Sequence, residues 1–291
     1  MVTIKVPATS ANIGPGFDSL GIALNLYATY SFEELSTGLV IEGCEERFQN
    51  ENNLIYVAYK LTMDYLKLPI KGLKLCVSTD VPVSRGLGSS ATCVVGGILG
   101  ANAIANYPLT KEEVLMLATK LEGHPDNVAP AIYGGLTASL MFNDQPYSIK
   151  YDISKELHFF AMIPDFETKT SDARKVLPTS VSYHDAIHNA SHVAVLMKAL
   201  ETANSELIKL SLDDCLHEPY RKSLIKGYDE VKKICQENNC IAFFISGSGS
   251  TLMAISKDKN FNNLITPSLS KLDNNWKVYN LDVDYDGACK W

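Results

Sequence analysis

The sequence predicts an α+β fold, with strands and helices intermixed rather than in regular β-α alternation. Three observations carry that reading. "VTIKVPA" and "LGIALNLYATYSFEEL" alternate like strands and follow one another with no helical pattern between them. Residues 53–66 and 89–105 have the apolar content and spacing of helices. After about residue 155 several helical patterns run consecutively before strands return, which a doubly wound parallel sheet would not do.

The chain's 291 residues suffice for one large domain or two ordinary ones, and 46% hydrophobic with 20% charged residues predicts a sizeable core rather than disorder. A net charge of −7 argues against a general nucleic-acid surface. It leaves room for an anionic ligand, because oriented backbone amides bind phosphate without net positive charge. The longest apolar stretch, Ala91 to Ala105, is too short and too broken by glycine to cross a membrane. The start "MVTIKVPATS" has no signal pattern, so a cytoplasmic location with no membrane partner is expected. The seven cysteines are odd in number and scattered; "CQENNC" is the only close pair, with no histidine near it and no second pair of soft ligands. Buried, reduced thiols are expected rather than zinc.

In chain order, the two opening strands lead to the short β-like "GLVIEG" and to a helix over Asn53 to Leu66, with Asn52 or Asn53 as its cap. "LKLCVSTDVPV" returns to β character and stops at Pro82. A glycine-serine loop opens a helix to about Ala105, and "TKEEVLMLATKLEG" begins another with a threonine cap and early glutamates. "GGLTASLMF" and "LHFFAMIP" read as strands, with a weakly marked seam near residues 144 to 156. "ETKTSDARKVLP", "SYHDAIHNASHVAVLMKALET" and "PYRKSLIKGYDEVKKICQEN" are helical. "CIAFFISGSGSTLMAIS" is strand, glycine turn, strand, and a helix and a last strand, "WKVYNLDVD", close the chain.

The loop "PVSRGLGSSATC" carries the strongest chemical signal. Apolar residues occupy nearly every side of the helix that follows, so its N-terminus is expected to be buried, with orphan N–H groups in need of partners. Gly86 and Gly88 can take positive φ and leave no side chain between amide and ligand. Ser89, Ser90 and Thr92 add hydroxyls at the positive end of the helix dipole. The arrangement suits a di- or triphosphate. A lysine after Gly88 would make a P-loop, and it is absent; the dinucleotide fingerprint G-x-G-x-x-G is likewise missed at Ala91. The alternative is a glycine-rich cap where a strand turns into a buried helix.

The stretch "VPVSRGLGSSAT" resembles the nucleotide loop P-x-x-x-G-L-G-S-S-A of the GHMP kinases, which include galactokinases, homoserine kinases, mevalonate kinases and phosphomevalonate kinases. "VPATSANIGPGFDSLGIAL" and "EGHPDNVAPAIYGGL" are similar to the first and central motifs of the homoserine kinases, and "ISGSGST" to the superfamily's third motif. These segments span residues 6 to 251. The resemblance implies a two-domain fold, with an N-terminal α+β nucleotide-binding domain over 1–155 and a C-terminal ferredoxin-like α/β sandwich over 156–291. It implies ATP-dependent phosphorylation of the hydroxyl of L-homoserine, with Mg²⁺, for threonine biosynthesis. Another GHMP kinase, of mevalonate or sugar type, and a non-catalytic ligand sensor are the alternatives.

Carried onto this chain, the resemblance implies that Pro82, Val83, Ser84, Arg85, Gly86, Leu87, Gly88, Ser89, Ser90, Ala91 and Thr92 wrap the phosphates. Ser90 and Glu122 would hold Mg²⁺, a hard ion that takes oxygen ligands. Glu122 read alone is a solvated residue at a helix C-terminus, where its charge is mildly unfavourable, and that tilts it toward function. Arg174 and Arg221 fit the substrate carboxylate, since a guanidinium fork binds one bidentately. Asp18 and Asn12 offer acceptors for the ammonium and hydroxyl, and Thr170, His124 and Gly247 complete the substrate set. Asn127 positions the alcohol but cannot take its proton, Asp126 could act as base, and positioning with electrostatics is ranked above base catalysis. Asn53 is placed near the adenine. Relatives of this class are often dimers, which leaves a homodimer open.

Overall fold

The computed structural model describes residues 1–290. The first two strands, β1 (Val2–Ala11) and β2 (Leu20–Leu35), pair antiparallel and are joined by the turn at residues 12–19. β3 (Leu39–Glu42) follows, then helix α1 (Leu54–Tyr65) and β4 (Gly72–Thr79). Three helices come next, α2 (Ser89–Ile104), α3 (Lys111–Glu122) and α4 (Val128–Tyr133), and then the hairpin β5 (Leu136–Phe142) and β6 (Gln145–Tyr151).

β2 organises this first sheet because it is long enough to serve two partners. Its far end pairs with β4 over Ala28 to Leu35, while its first residues pair with β5. Alternating residues of β1, β2 and β4, among them Ile4, Val6, Tyr30, Phe32 and Leu75, join the helices in one core. α2 lies deepest, buried on nearly every side as its composition predicts. Gly97 explains one apparent weakness of that helix: a Cβ there would lie 2.2 Å from the Ile55 carbonyl oxygen, so glycine lets α1 and α2 meet backbone to backbone.

The second half begins with β7 (His158–Pro164) and the helices α5 (Thr170–Lys175), α6 (Tyr183–Thr202), α7 (Ser205–Ser211), α8 (Glu218–Arg221) and α9 (Tyr228–Glu237). The hairpin β8 (Ala242–Ile245) and β9 (Leu252–Ser256), helix α10 (Phe261–Leu269), strand β10 (Trp276–Leu281) and the short β11 (Cys289–Lys290) complete it. The sheet order β10-β7-β9-β8, all antiparallel, is the ferredoxin-like β-α-β-β-α-β arrangement. β7 is buried on both faces: Phe160 and Met162 face a small core with α9 and α10, whereas Phe159, Ala161 and Ile163 join the main core. Its apolar run over residues 159–164 follows from that double burial.

Several expectations need correction. The span 144–156 is not all connection, since β6 fills its first part and the passage between sheets is confined to residues 152–157. The helix read through "PYRKSLIKGYDEVKKICQEN" is broken into α8, a 3₁₀ turn (Lys222–Leu224) and α9, because Gly227 takes φ +88° as the cap of α9. α4, α7, β6 and β11 are too short or too polar to signal themselves. β11 pairs with β1, so the end of the chain returns to the first sheet. The seven cysteines are unpaired, but only Cys235 is fully buried and Cys289 is exposed. Burial pushes the Cys235 thiol up and Cys240 to about 11, which is opposite to what metal ligation needs.

Candidate active site

The site forms where two glycine loops meet. The first, residues 82–88, runs from β4 into α2; the second, residues 246–251, joins β8 to β9. Ser246 donates its hydroxyl to the Gly86 carbonyl at 2.6 Å, and the Thr251 amide donates to the Arg85 carbonyl at 3.0 Å. A Cβ on Gly86 would fall 2.3 Å from the Ser246 carbonyl oxygen, so the contact needs glycine. Gly86 and Gly88 take φ +79° and +69° as expected. Arg85 acts as a clasp: it donates to the carbonyls of Pro164 and Asp165 and lies 3.4 Å from Glu167, so its charge is spent on the second sheet.

The amides of Gly86 through Ala91 find no hydrogen-bond partner among the described residues. They are the orphan donors of a buried helix start, on a loop whose glycines expose the backbone. Beside them Ser90 donates to Glu122 Oε2 at 2.8 Å, bringing the ends of α2 and α3 together. Burial pushes the Glu122 carboxyl above its ordinary range, with Ser90 acting against it. A partly desolvated carboxylate with a hydroxyl oxygen beside it is a fitting donor set for Mg²⁺. Thr92 is a correction. Its hydroxyl is buried, donating to the Ser89 carbonyl at 2.8 Å and accepting from Tyr30 at 2.9 Å, so none of it is left for a ligand. Leu87 and Ala91 are likewise sealed in the core and offer only backbone, and Pro82 lies outside the cavity lining.

At the other end two arginines lie side by side. Arg174 donates Nη1 and Nη2 to the two carboxylate oxygens of Asp18, each at 2.8 Å. Arg221, 2% exposed, donates Nε to the Ala173 carbonyl at 3.2 Å and Nη1 to the Gly247 carbonyl at 2.9 Å. It has no carboxylate partner and its Nη2 no partner at all among the described residues. Burial lowers its pKa first, and the charge of Arg174 lowers it further. Asn12 ties the region together, accepting from the Asp18 amide at 3.0 Å and donating to the Gly247 carbonyl at 2.9 Å. Thr170, at the start of α5, lies 3.4 Å from the Ser248 hydroxyl.

Between the two ends stands "HPDN". Asp126, 2% exposed, accepts from His124 Nδ1 and from the Asn127 amide on the same oxygen. That carboxylate holds His124 protonated to higher pH than usual, against the effect of burial. Asn127 Oδ1 accepts from the Thr9 hydroxyl at 3.0 Å, which leaves its amide nitrogen to face the cavity. Asp18, His124 and Asp126 each bring one ligand-type atom within 4.8 Å of the others. Asp18 is paired with Arg174 and His124 Nδ1 with Asp126, so this trio is a polar cluster and we assign no metal ion to it.

Gly86, Gly88, Ser89 and Ser90 of the loop, Glu122, His124, Asp126, Asn127, Asp18 and the two arginines line one cavity of about 380 Å³, within the range of small-ligand sites. Asn53 lines it too, but as the cap of α1 it accepts from the Ile55 amide and donates to the Phe48 carbonyl, so only part of its amide is free for a base. Sequence reasoning missed the apolar wall of Tyr30, Phe48, Ile55 and Val77, and also Thr168 and Ser248. Phe48, an aromatic within the polar run "ERFQNENN", was the one legible signal among them.

Residues 53–135 match the GHMP kinases N terminal domain and residues 196–265 the GHMP kinases C terminal family. A crystal structure of homoserine kinase from Cytophaga hutchinsonii superposes with a TM-score of 0.91 at 27% identity, covering 100% of this chain and 97% of that one. A donor-rich glycine loop on this fold, facing paired charges across one cavity, defines a small-molecule kinase of the GHMP class. Homoserine kinase of Clostridium botulinum is 47% identical over 290 residues, 99% of this chain and 98% of that protein, and that of Clostridium beijerinckii is 43% identical over 291. The chain belongs to the homoserine kinase family.

Proposed function

We propose that the chain transfers the terminal phosphoryl group of ATP to the side-chain hydroxyl of L-homoserine, giving O-phospho-L-homoserine and ADP. The observation that carries this reading is Arg221, a buried guanidinium without a carboxylate partner among the described residues, next to an Arg174–Asp18 pair. A buried cation left unpaired is costly unless a ligand completes it. A free amino acid brings a carboxylate for the two arginines and an ammonium for Asp18. Mevalonate and sugars lack the ammonium.

In this reading the amides of Gly86 to Ala91 hold the phosphate oxygens and the apolar wall takes the adenine. Ser90 and Glu122 hold Mg²⁺, which when bound neutralises phosphate charge. Arg221 and Arg174 fix the carboxylate, with Asn12, Thr170 and Gly247 shaping the pocket around it. Asn127, anchored by Thr9, orients the hydroxyl in line with the phosphoryl group, and His124, whose ring Asp126 fixes, lines the pocket beside it. Asp126 has one oxygen committed to His124 and Asn127, so positioning and electrostatics rank above base catalysis.

In this reading the product feeds threonine biosynthesis and the enzyme works in the cytoplasm. No helix among the described residues is long and apolar enough to cross a membrane. We further propose a domain division at 155/156, with β11 reaching back. An ADP-release assay with Mg²⁺ over homoserine, mevalonate and hexoses tests the activity. Homoserine should give the highest kcat/KM, and faster turnover of mevalonate or a sugar would overturn the assignment.

A further inference from the structure

The residue before Asp18 is not among the groups assigned above, yet both arginines rest on it. The Phe17 ring centroid lies 4.9 Å from the Arg221 guanidinium carbon and 5.5 Å from that of Arg174. The same ring stacks with His217, at 5.2 Å between centroids and 22° between planes. His217 is fully buried and held by its Nε2, which donates to the Gly14 carbonyl at 2.9 Å. Burial keeps its imidazole neutral by lowering its pKa, so it adds no third positive charge. Asp214 accepts the amides of His217 and Glu218 at 2.8 Å each, which fixes the support from behind.

Two guanidiniums that must meet one carboxylate repel each other while the site is empty. A carboxylate partner relieves that repulsion but consumes donors, as Asp18 does to Arg174. An aromatic face attracts a cation through its quadrupole and takes up no N–H group. We infer that Phe17 is a specificity-determining positioning residue, its ring holding Arg174 and Arg221 together with their remaining donors free for the substrate's carboxylate. The inference rests on the proposed role of the two arginines and adds the group that places them.

The test replaces Phe17 by mono-, di- and trifluorophenylalanine, which nearly preserve shape while draining charge from the ring face, and by leucine. Homoserine Kd is read by titration calorimetry and thermal stability is followed alongside. The logarithm of Kd should rise in step with fluorine count, reaching about fivefold to tenfold for the trifluoro ring, with ATP Kd showing no such trend. A flat fluorine series, or one in which ATP and homoserine weaken together, overturns the role of Phe17. An Arg221→Ala arm separates the two layers. If it leaves homoserine Kd unchanged, the carboxylate reading falls and Phe17 with it; if it weakens Kd while the fluorine series is flat, only Phe17 falls. Leucine failing to fold leaves the fluorinated series to decide.

Discussion

Arg174 and Asp18 form a two-pronged ion pair, each guanidinium nitrogen 2.8 Å from its own carboxylate oxygen, across 156 residues of chain and between the two halves of the molecule. In the function proposed above, each partner stands in for one end of the substrate zwitterion: Asp18 occupies Arg174 as a carboxylate would, and Arg174 occupies Asp18 as an ammonium would. Both side chains are partly exposed, so the pair adds little to stability and can exchange partners.

Asp18→Asn keeps the shape and removes the charge that an ammonium needs. Homoserine binding should weaken by about 1.5–3 kcal/mol, the usual worth of a hydrogen bond to a charged group. Binding of 4-hydroxybutyrate, which lacks the ammonium, should stay equal or tighten because Arg174 is released. Calorimetric titration of the two ligands decides it, and equal losses for both would count against Asp18 as the ammonium acceptor.

Glu122→Gln should lower kcat with Mg²⁺ by about 10²–10³-fold, as losing a few kcal/mol of charge stabilisation requires. ATP binding measured in EDTA should hardly change. Because burial raises the Glu122 pKa, its carboxylate is lost to protonation at higher pH than an ordinary glutamate's. Apparent Mg²⁺ affinity should therefore begin to fall at higher pH than it would at a site with an exposed, ordinary glutamate. Titrating Mg²⁺ activation at several pH values checks this.

Glu218 gives a pH signature in stability. It is buried on α8, accepts from the Ile245 amide at 2.7 Å, and burial pushes its pKa from 4.5 up to about 8. The folded chain then keeps a proton that the unfolded chain releases above about pH 4.5. The stability this proton contributes is complete below that pH and is lost as pH rises toward 8. Glu218→Gln, neutral throughout, should gain on the parent protein by a few kcal/mol between pH 5 and pH 8. Urea melts at the two pH values measure it; a constant gap would mean that Glu218 is ionised in the fold.

The backbone chemistry of this chain and most of its architecture can be read from residue order alone. "PVSRGLGSSATC" spells out a donor-rich helix start because glycine φ, hydroxyl content and apolar periodicity are local properties. The strand β2 and the capped helices α1 and α3 were legible for the same reason. Which side chains are spent and which are free emerges only once the chain is folded. Arg85, Arg174 and Arg221 look alike as letters, yet one clasps the end of the interior strand β7, one pairs with Asp18, and one is buried with a donor unused. Thr92 reads like Ser90 until Tyr30 is seen to claim its hydroxyl. Those differences depend on partners 26 to 156 residues away in the chain, as Arg221–Gly247 and Arg174–Asp18 are, and on burial, which sets the cost of an unpaired charge. No local pattern encodes either quantity.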